Sequence, residues 1–390
     1  MTKTVQAETI VEMLQSVLTA QTNTIPLHEP SFQGNEWAYV KDCIDTGWVS
    51  SVGKYVNKFE SMLEDYTGVK HAIAVVNGTA ALHICLKLVG VERNDEVLVP
   101  ALTFIATANA VSYCGAIPHF VDSCYDTLGL DPKKLDQYLQ EIGEVRKDGY
   151  YNKMTGRRIK AVIPMHTFGH PVDLDPLLDI CQRYYIEMVE DAAESLGSFY
   201  KGLHTGNWGK VAAVSFNGNK VITTGGGGAI LTNCDELAKM AKHITTTAKK
   251  PHAWAFDHDQ IAFNYRLPNI NAALGCAQLE VLPEFIKQKR ALTDIYANVI
   301  DPLQGVELFK EPSFAKSNYW LQVLLLDETY ADKQEEILKL TNEKGIMTRP
   351  IWTPLHEISM YKDCPKMTLE VVGSLAKRIV NIPSSPGLAK

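Results

Sequence analysis

The sequence predicts an α/β fold with a mostly parallel seven-stranded sheet in a large domain and a smaller α+β C-terminal domain. Three observations support this prediction. Short apolar runs alternate with helical patterns between positions 71 and 233, as in parallel sheets with helical crossovers. The chain has 390 residues, which is too long for one small core. From about Pro283 the pattern changes to one long helix followed by short strands.

The apolar runs place the strands of the large domain. We predict strands at 71–78, 96–104, 117–122, 159–166, 186–195, 211–216 and 228–233. Before them, the patterns predict helices over 1–24, 36–44 and 56–66. The polar segment 146–160 is predicted to be an exposed, solvated loop, although its basic residues could also meet an anionic ligand. The residues that suggest this are Arg146, Lys147, Lys153, Arg157 and Arg158.

The composition change places the domain boundary. We assign 1–282 to an N-terminal arm plus the large domain and 283–390 to the small domain. In the small domain the patterns predict helices over 284–300 and 332–344 and strands within 319–326 and 379–383.

Composition excludes several classes of protein. The net charge is −7 and no block of Lys or Arg occurs, which argues against nucleic-acid binding. No apolar run approaches the roughly 20 residues of a membrane helix. The eight cysteines form no C-x-x-C pair, so we predict neither a zinc site nor disulfides. The N-terminus is an amphipathic pattern with acids and not a signal peptide, which predicts a cytoplasmic protein.

Chemically useful residues follow the predicted strands. In parallel sheets ligands bind at the carboxyl ends of the strands, and these ends are followed by Gly78 and Thr79, by Phe104, by His166, by Asp191 and Glu194, and by Ser215. Each has an ordinary alternative: Thr79 as a helix N-cap, Phe104 as core, and His166 as a structural histidine. The adjacent acids Glu190 and Asp191 are less ordinary, because buried carboxylates need partners.

Lys220 lies between two apolar runs, 211–216 and 229–232, and precedes four glycines. Partial desolvation would favour a neutral amine, which imine chemistry requires. A surface lysine on a loop is the alternative, and Lys220 by itself does not exclude it.

Together these residues fit pyridoxal 5′-phosphate. The lysine forms an imine, Asp191 keeps the pyridine nitrogen protonated, Phe104 stacks on the ring, and the helix start at Gly78 receives the phosphate with Ser215. The motifs of phosphate-binding loops, dinucleotide-binding sites and serine hydrolases do not match this sequence. Lys220 precedes the glycines, unlike a P-loop lysine, and neither G-x-G-x-x-G after the first strand nor G-x-S-x-G occurs.

The chain resembles the DegT/StrS family of pyridoxal phosphate-dependent sugar aminotransferases, which have fold type I. The resemblance spans about Ile25 to Leu388 and rests on ordered motifs: GWVSSVGKYVNKFE, VVNGTAALHICL, VLVPALTFIATANAV, VIPMHTFGHPVDLD, VEDAAESLGS, SFNGNK with TTGGGGAILTN, NYRLPNINAALGCAQL, TRPIWTPLH and IPSSP.

The resemblance implies roles for individual residues. Lys220 matches the imine-forming lysine, which also carries the proton, and Asp191 matches the pyridinium partner. Gly78, Thr79 and Ser215 match the phosphate-binding residues, and Phe104 matches the stacking aromatic. Asn264 matches an asparagine that reaches the phosphate of the neighbouring subunit, which implies a homodimer with shared active sites; as a lone residue it would be read as part of a turn.

Two comparisons with the family pattern refine the expected reaction. Glu194 stands where the family usually has glutamine beside the phenolic oxygen of the cofactor, so its carboxylate would have to be protonated or turned away. Related dehydratases have histidine in place of the lysine, so Lys220 implies transamination.

The finer resemblance is to the branch that makes 4-amino sugars for legionaminic acid or bacillosamine. It implies transfer of the amino group of glutamate to C4 of a UDP-linked 4-keto-6-deoxy-N-acetylhexosamine. Alternatives are amination at C3, a dTDP- or GDP-linked sugar, and a non-catalytic regulator that keeps the fold. The substrate-binding candidates, each of which could also serve packing, are Trp48, Ser50, His166, Arg349, Trp352 and His356.

Overall fold

The computed structural model describes residues 4–19 and 23–389. The α-helices are Ala7–Val17 (α1), Glu36–Thr46 (α2), Lys54–Thr67 (α3), Gly78–Leu88 (α4), Ile105–Tyr113 (α5), Pro132–Ile142 (α6), Leu174–Tyr184 (α7), Asp235–Thr245 (α8), Asn269–Ile300 (α9), Gln334–Glu343 (α10) and Glu370–Ala376 (α11). Short 3₁₀ turns occupy Thr167–Gly169, Glu328–Lys333 and Leu355–Glu357.

The strands form one large sheet and several small ones. They are His71–Val75 (β1), Glu96–Pro100 (β2), Ile117–Val121 (β3), Gly143–Arg146 (β4), Gly149–Asn152 (β5), Ile159–Val162 (β6), Glu187–Asp191 (β7), Phe199–Tyr200 (β8), Leu203–His204 (β9), Val211–Ser215 (β10), Gly228–Thr232 (β11), Val306–Leu308 (β12), Ala315–Lys316 (β13), Gln322–Leu326 (β14), Arg349–Pro350 (β15) and Ile379–Ile382 (β16).

The large sheet confirms the predicted fold class. Among the described residues it has seven strands in the order β1-β11-β10-β7-β6-β2-β3. Only β11 runs against its neighbours, and the pairs from β10 to β3 are all parallel. Six strands therefore point the same way, and their carboxyl ends share one edge. Each strand is shorter than its apolar run, because the residues after it turn away to form that edge.

Alternate side chains of the sheet pack on its two faces, as strand geometry requires. In β10, Val211 and Ala213 contribute to one buried cluster and Ala212 and Val214 to another. Helices cover both faces, so the strands are apolar throughout and do not alternate with polar residues.

A four-stranded sheet, β12-β14-β16-β15, organises the C-terminal part of the described chain. Helix α1 packs with it, since Ile10 and Leu14 share a buried cluster with Leu324 and Ile382. The predicted helix over 1–24 thus appears as α1; positions 1–3 and 20–22 lie outside the described residues.

The division at 282/283 stays a prediction, and it falls inside the continuous helix α9. The prediction rests on the change of composition near Pro283, and an interior proline does remove a helical hydrogen bond. The flanking Leu279, Leu282 and Phe285 are all buried, and their packing offsets that loss.

The basic segment 146–160 is more ordered than a solvated loop. Strands β4 and β5 pair as an antiparallel hairpin. Buried Glu96 fixes the segment that follows, accepting hydrogen bonds from Asn152 Nδ2 at 3.0 Å and from Thr155 Oγ1 at 2.6 Å. The pairing of β4 with β5 is local, whereas the bonds that fix the following segment join it to Glu96, which lies 56 and 59 residues away, so no local pattern could predict them.

No helix among the described residues is both long and apolar enough to span a membrane.

Candidate active site

The carboxyl edge of the large sheet gathers most of the predicted cofactor residues. Asp191 ends β7 and pairs with Ala213 of β10, two residues before Ser215. Ser215 and Val75 both pair with Gly228 of β11, so the ends of β1 and β10 flank one glycine. The sheet therefore places Asp191, Ser215 and the loop after β1 side by side.

Lys220 lies in the loop after β10, and its side chain is only 12% exposed. Its Nζ atom is 3.3 Å from Glu194 Oε1 and 3.9 Å from the centre of the Trp320 ring. The ammonium group is thus held between a buried carboxyl and an aromatic face. This placement differs from that of a surface lysine, which would point into water.

Glu194 is buried and stands next to the amine. Its Oε2 atom accepts the backbone N–H of Phe168 at 2.9 Å. Burial raises the pKa of Glu194 to about 7, although the charge of Lys220 and the N–H of Phe168 oppose the rise. The acid faces Lys220 and is partly protonated near neutral pH, and its role beside the phenolic oxygen of the cofactor stays a prediction.

Replacing Glu194 with glutamine is expected to remove a pH dependence of stability. The folded pKa of about 7 lies above the ordinary 4.5, so between these values the folded chain keeps a proton that the unfolded chain has lost. The contribution of Glu194 to the free energy of unfolding of the wild type should therefore fall by about 3 kcal/mol as the pH rises through this window. Above the window this contribution should not change further.

Thermal unfolding of the ligand-free protein from pH 4 to pH 9 measures this effect. Glu194→Gln should match the wild type near pH 4 and exceed it at pH 8. Parallel curves for the two proteins across the range would contradict the assigned protonation of Glu194.

Asp191 is buried at the end of β7 within a chain of hydroxyl groups. Its Oδ2 atom accepts from Thr107 Oγ1 at 2.7 Å, and Thr107 Oγ1 is 3.1 Å from Thr103 Oγ1. Burial raises the pKa of Asp191, and the hydrogen bonds from Thr107 and from the N–H of Ala193 partly offset the rise. No described residue forms an ion pair with Asp191, and a cationic ring nitrogen would provide that partner.

The start of α4 forms an anion-binding cradle. Asn77 is the N-cap, and its side chain accepts the N–H of Ala80 at 2.7 Å, so Thr79 is not the cap. Within the described part of the chain, the N–H groups of Gly78 and Thr79 donate to no protein acceptor. A Cβ on Gly78 would lie 2.8 Å from Ser215 Cβ, so glycine allows the helix start to meet Ser215.

Two of the four glycines after Lys220 have clear structural reasons. Gly225 has φ +80, a left-handed conformation that favours glycine. A Cβ on Gly228 would lie 2.5 Å from the carbonyl carbon of Asn77, so only glycine lets β11 pack against the cradle. The glycines shape the backbone beside Lys220, as the sequence predicts.

Phe104 precedes α5 and remains 50% exposed. An aromatic ring this exposed at the sheet edge does not belong to the core, which was its ordinary alternative. Its position is available for stacking on a planar ring at the edge.

His166 is turned away from solvent and bound to protein groups through both ring nitrogens. Nδ1 accepts the N–H of Val172 at 3.2 Å, and Nε2 lies 3.1 Å from Glu190 Oε2. Burial by itself would raise the pKa of Glu190, but the hydrogen bond and charge of His166 and the N–H groups of Gly209 and Gly206 hold it below its ordinary value. The pair anchors β7 behind the site, and a substrate contact by His166 stays a prediction.

The other predicted substrate residues lie in three places. Trp48 and Ser50 are exposed, and their carbonyl groups accept hydrogen bonds from Asn269 at 2.7 and 2.6 Å. Arg349 and Trp352 line a cavity of about 470 Å³ between the two parts of the chain. His356 is partly buried in the turn Leu355–Glu357, with its Nε2 atom 3.8 Å from Glu357 Oε1.

Asn264 is exposed in the segment between α8 and α9. Nearby side chains are also exposed and apolar: Trp254 is 81% and Ile261 is 96% accessible. Exposed apolar groups of this size are typical of contact surfaces. A role for Asn264 in a neighbouring subunit fits this surface and stays a prediction.

Three residues of the site were not identified from the sequence: Thr107, Trp320 and His28. Thr107 lies in the first turn of α5, four residues after Thr103, which precedes the helix. Trp320 and His28 reach the site from segments about 100 and 190 residues away from Lys220. No local pattern links such distant segments.

Comparison with known proteins decides the family. The model of the DegT/DnrJ/EryC1/StrS aminotransferase family matches residues 30–390. The chain belongs to this family. A GDP-perosamine synthase of Escherichia coli O157:H7 is 38% identical over 365 residues, covering 94% of each chain. EpsN of Bacillus subtilis, provisionally named a pyridoxal phosphate-dependent aminotransferase, is 36% identical over 370 residues, covering 94% of this chain and 92% of its own.

A solved family structure shows the same fold. The DegT DnrJ EryC1 StrS aminotransferase from Brucella abortus superimposes with a TM-score of 0.83 at 28% identity, covering 91% of each chain. The fold type I prediction is thereby confirmed for this member of the family.

The residues present fit pyridoxal phosphate. The unpaired N–H groups at Gly78 and Thr79 suit a phosphate, and buried Asp191 suits a protonated ring nitrogen. Lys220 Nζ lies 3.3 Å from Glu194 Oε1, and its charge lowers the pKa of Asp191 against the rise that burial causes. This family member therefore has a donor set for the phosphate, the ring nitrogen and the reactive carbon of one cofactor.

Proposed function

We propose that this chain is a pyridoxal phosphate-dependent aminotransferase that moves the amino group of glutamate to a keto sugar linked to a nucleoside diphosphate. The observation that carries the proposal is the position of Lys220, shielded between Glu194 and Trp320 at the sheet edge that holds Asp191. An amine at this edge can serve both as the cofactor-binding group and as the proton carrier.

Each residue of the site has a separate role in the proposed reaction. Pyridoxal phosphate, when bound, supplies an electron sink for the carbon that loses its proton. Asp191 holds a proton at the ring nitrogen, which requires the carboxylate form. The Nζ atom of Lys220 takes a proton from the α-carbon of glutamate and later delivers one to the sugar carbon that receives the amine. Glu194 lies beside Nζ and can share its proton.

The sugar and its nucleotide are the finer part of the proposal. The motif resemblance favours C4 of a UDP-linked 4-keto-6-deoxy-N-acetylhexosamine. The GDP-perosamine synthases among the relatives favour the alternative of a GDP-linked sugar. Amination of a nucleotide-linked keto sugar is common to both, and we propose C4 as the position.

A substrate panel tests the proposal. The enzyme loaded with cofactor is incubated with glutamate and UDP-, GDP- and dTDP-linked keto sugars, and NMR of the products locates the new amine. Formation of 2-oxoglutarate together with a 4-amino sugar is expected. A 3-amino product would show that amination occurs at C3 and not at C4. If the bound cofactor does not react with glutamate, the result would favour a non-catalytic regulator.

We propose further that two copies share each active site through Asn264. The support is the exposure of Asn264 beside the apolar side chains Trp254, Phe256 and Ile261, two of which are 81% and one 96% accessible.

Mixing two impaired variants tests the shared site. Lys220→Ala and Asn264→Ala homodimers should each be impaired, whereas a hybrid dimer contains one site with neither substitution. Unfolding and refolding an equal mixture should restore about a quarter of the wild-type sites. Activity that equals the average of the separate variants would contradict sharing.

A further inference from the structure

The cavity of about 470 Å³ is the place where the N-terminal segment approaches the reactive centre. Its polar lining residues include His28, Asn219, Arg349 and Asn381, and the remainder is aromatic or aliphatic. No Asp or Glu appears among the described residues that line it. A cavity with one guanidinium group, neutral donors and no acid suits an anionic ligand.

The cavity adjoins Lys220. Trp320 lines the cavity, and the centre of its ring lies 3.9 Å from Lys220 Nζ. The indole Nε1 of Trp320 donates to the carbonyl of Asn219, the residue before Lys220, at 2.7 Å. Phe168 also lines the cavity, and its N–H binds Glu194. The cavity thus shares Trp320 and Asn219 with the surroundings of the reactive amine.

The backbone around His28 is firmly held. Ile25 N–H donates to Gly345 O at 2.7 Å, and Leu27 O accepts the N–H of Ser384 at 2.8 Å. On the other side of His28, Glu29 N–H donates to Ser385 Oγ at 2.9 Å. These bonds fix the segment on the C-terminal sheet, so the place of His28 in the cavity wall is set by the fold.

The imidazole of His28 is weakly satisfied by the protein. Both ring nitrogens are buried, and neither meets hydrogen-bond geometry with a described residue, although the carbonyl of Asn219 lies near enough to raise the pKa of the ring. Burial lowers the pKa of His28 well below its ordinary value, and the amines of Lys289 and Lys220 lower it further, against the carbonyl of Asn219. A neutral imidazole has one N–H to donate. Since an unsatisfied buried donor costs free energy, an apolar side chain would serve a purely structural role better.

Arg349 is an exposed residue that lines the cavity and supplies its positive charge. Its Nη1 atom donates to Asn342 Oδ1 at 3.0 Å and to Thr348 O at 2.9 Å. Within residues 4–19 and 23–389 it forms no ion pair with an acid. The guanidinium group is therefore oriented by the protein while its charge is left for a ligand.

We infer that His28 and Arg349 bind the side-chain carboxylate of the amino donor, and that His28 determines donor specificity. This inference rests on the proposed function. The side-chain carboxylate of glutamate is separated by two methylene groups from the α-carbon on which Lys220 acts. The diphosphate of a nucleotide sugar is separated from its keto carbon by part of a hexose ring, so an anion site this close to Lys220 suits the donor.

Two half-reactions, each followed through the absorbance of the bound cofactor, test the inference. His28→Phe keeps the ring and removes the N–H, and Arg349→Met removes the charge. Each should raise the half-saturating glutamate concentration about 10- to 100-fold. The half-reaction with the keto sugar should stay within about threefold of the wild type. His28→Asn, which can still donate, should recover part of the loss.

A binding measurement separates recognition from chemistry. Calorimetry with α-methylglutamate, which has no α-proton to lose, should show the same weakening in His28→Phe. Met154→Ser, on the exposed surface away from the cavity, is the control and should behave as the wild type.

Three results would overturn the inference. Equal losses in both half-reactions would make His28 a structural residue. A loss confined to the keto-sugar half would assign the cavity to the diphosphate or the sugar. Unchanged binding of α-methylglutamate by His28→Phe would remove His28 from donor recognition. A wild-type enzyme inert to glutamate would instead contradict the proposed function itself.

Discussion

Replacing Lys220 with alanine is expected to abolish turnover, with a loss of roughly 10⁴-fold or more, because one substitution removes both the cofactor-binding amine and the proton carrier. Lys220 contacts Glu194 and the ring of Trp320 and makes no other side-chain hydrogen bond among the described residues. Its removal leaves Glu194 without a cation but still bound by the N–H of Phe168. The fold should therefore survive.

The measurement is the conversion of the bound cofactor by glutamate in a single turnover. Thermal unfolding at pH 6 should show a stability close to that of the wild type. Lys220→Arg is the matched variant, since it keeps the positive charge near Glu194 but has no amine that can release its proton. Lys220→Arg should also be inactive, and substantial activity in either variant would contradict the assignment.

Replacing Asp191 with asparagine is expected to lower kcat/KM roughly 10²- to 10³-fold, as when one preorganised electrostatic partner is lost. Asparagine has nearly the same shape but no charge to hold a proton at the ring nitrogen. The surrounding hydroxyl chain can adapt to it. The new amide can donate to Thr107 Oγ1, and Thr107 can in turn donate to Thr103 Oγ1, which lies 3.1 Å away.

Steady-state kinetics and the absorbance spectrum of the bound cofactor measure this effect. Thr107→Val is the matched control, because it removes the hydrogen bond at 2.7 Å but leaves the carboxylate. Its loss should be clearly smaller than that of Asp191→Asn. If the two variants lose the same activity, the hydrogen-bond network and not the charge of Asp191 supports catalysis.

The strands and the main site could be predicted because their signals are local. Parallel strands that alternate with helices place all their carboxyl ends on one edge, so Phe104, Asp191 and Ser215 could be grouped without a structure. The start of α4 was also found, although the N-cap is Asn77 and not Thr79. Helix α9 was predicted too short: it begins at Asn269 and continues through Pro283, whereas the predicted helix begins at 284.

Contacts between distant segments could not be predicted in this way. Glu194 was recognised as an unusual residue, but only its burial and its distance of 3.3 Å from Lys220 explain how a carboxyl is accepted there. His166 follows a strand like the other site residues, yet the fold directs it to Glu190. His28 and Arg349 meet in one cavity only because the N-terminal segment hydrogen-bonds to the C-terminal sheet.

By itself, the sequence determined the fold class, the family resemblance and the set of residues at the sheet edge, because periodicity and short motifs encode them within a few positions of each other. The tertiary structure alone decided the environment of those residues: the pairing of Lys220 with Glu194 and Trp320, the hydroxyl chain at Asp191, and the acid-free cavity beside them. Burial and hydrogen bonding depend on which remote segments pack together, and no local pattern records that choice.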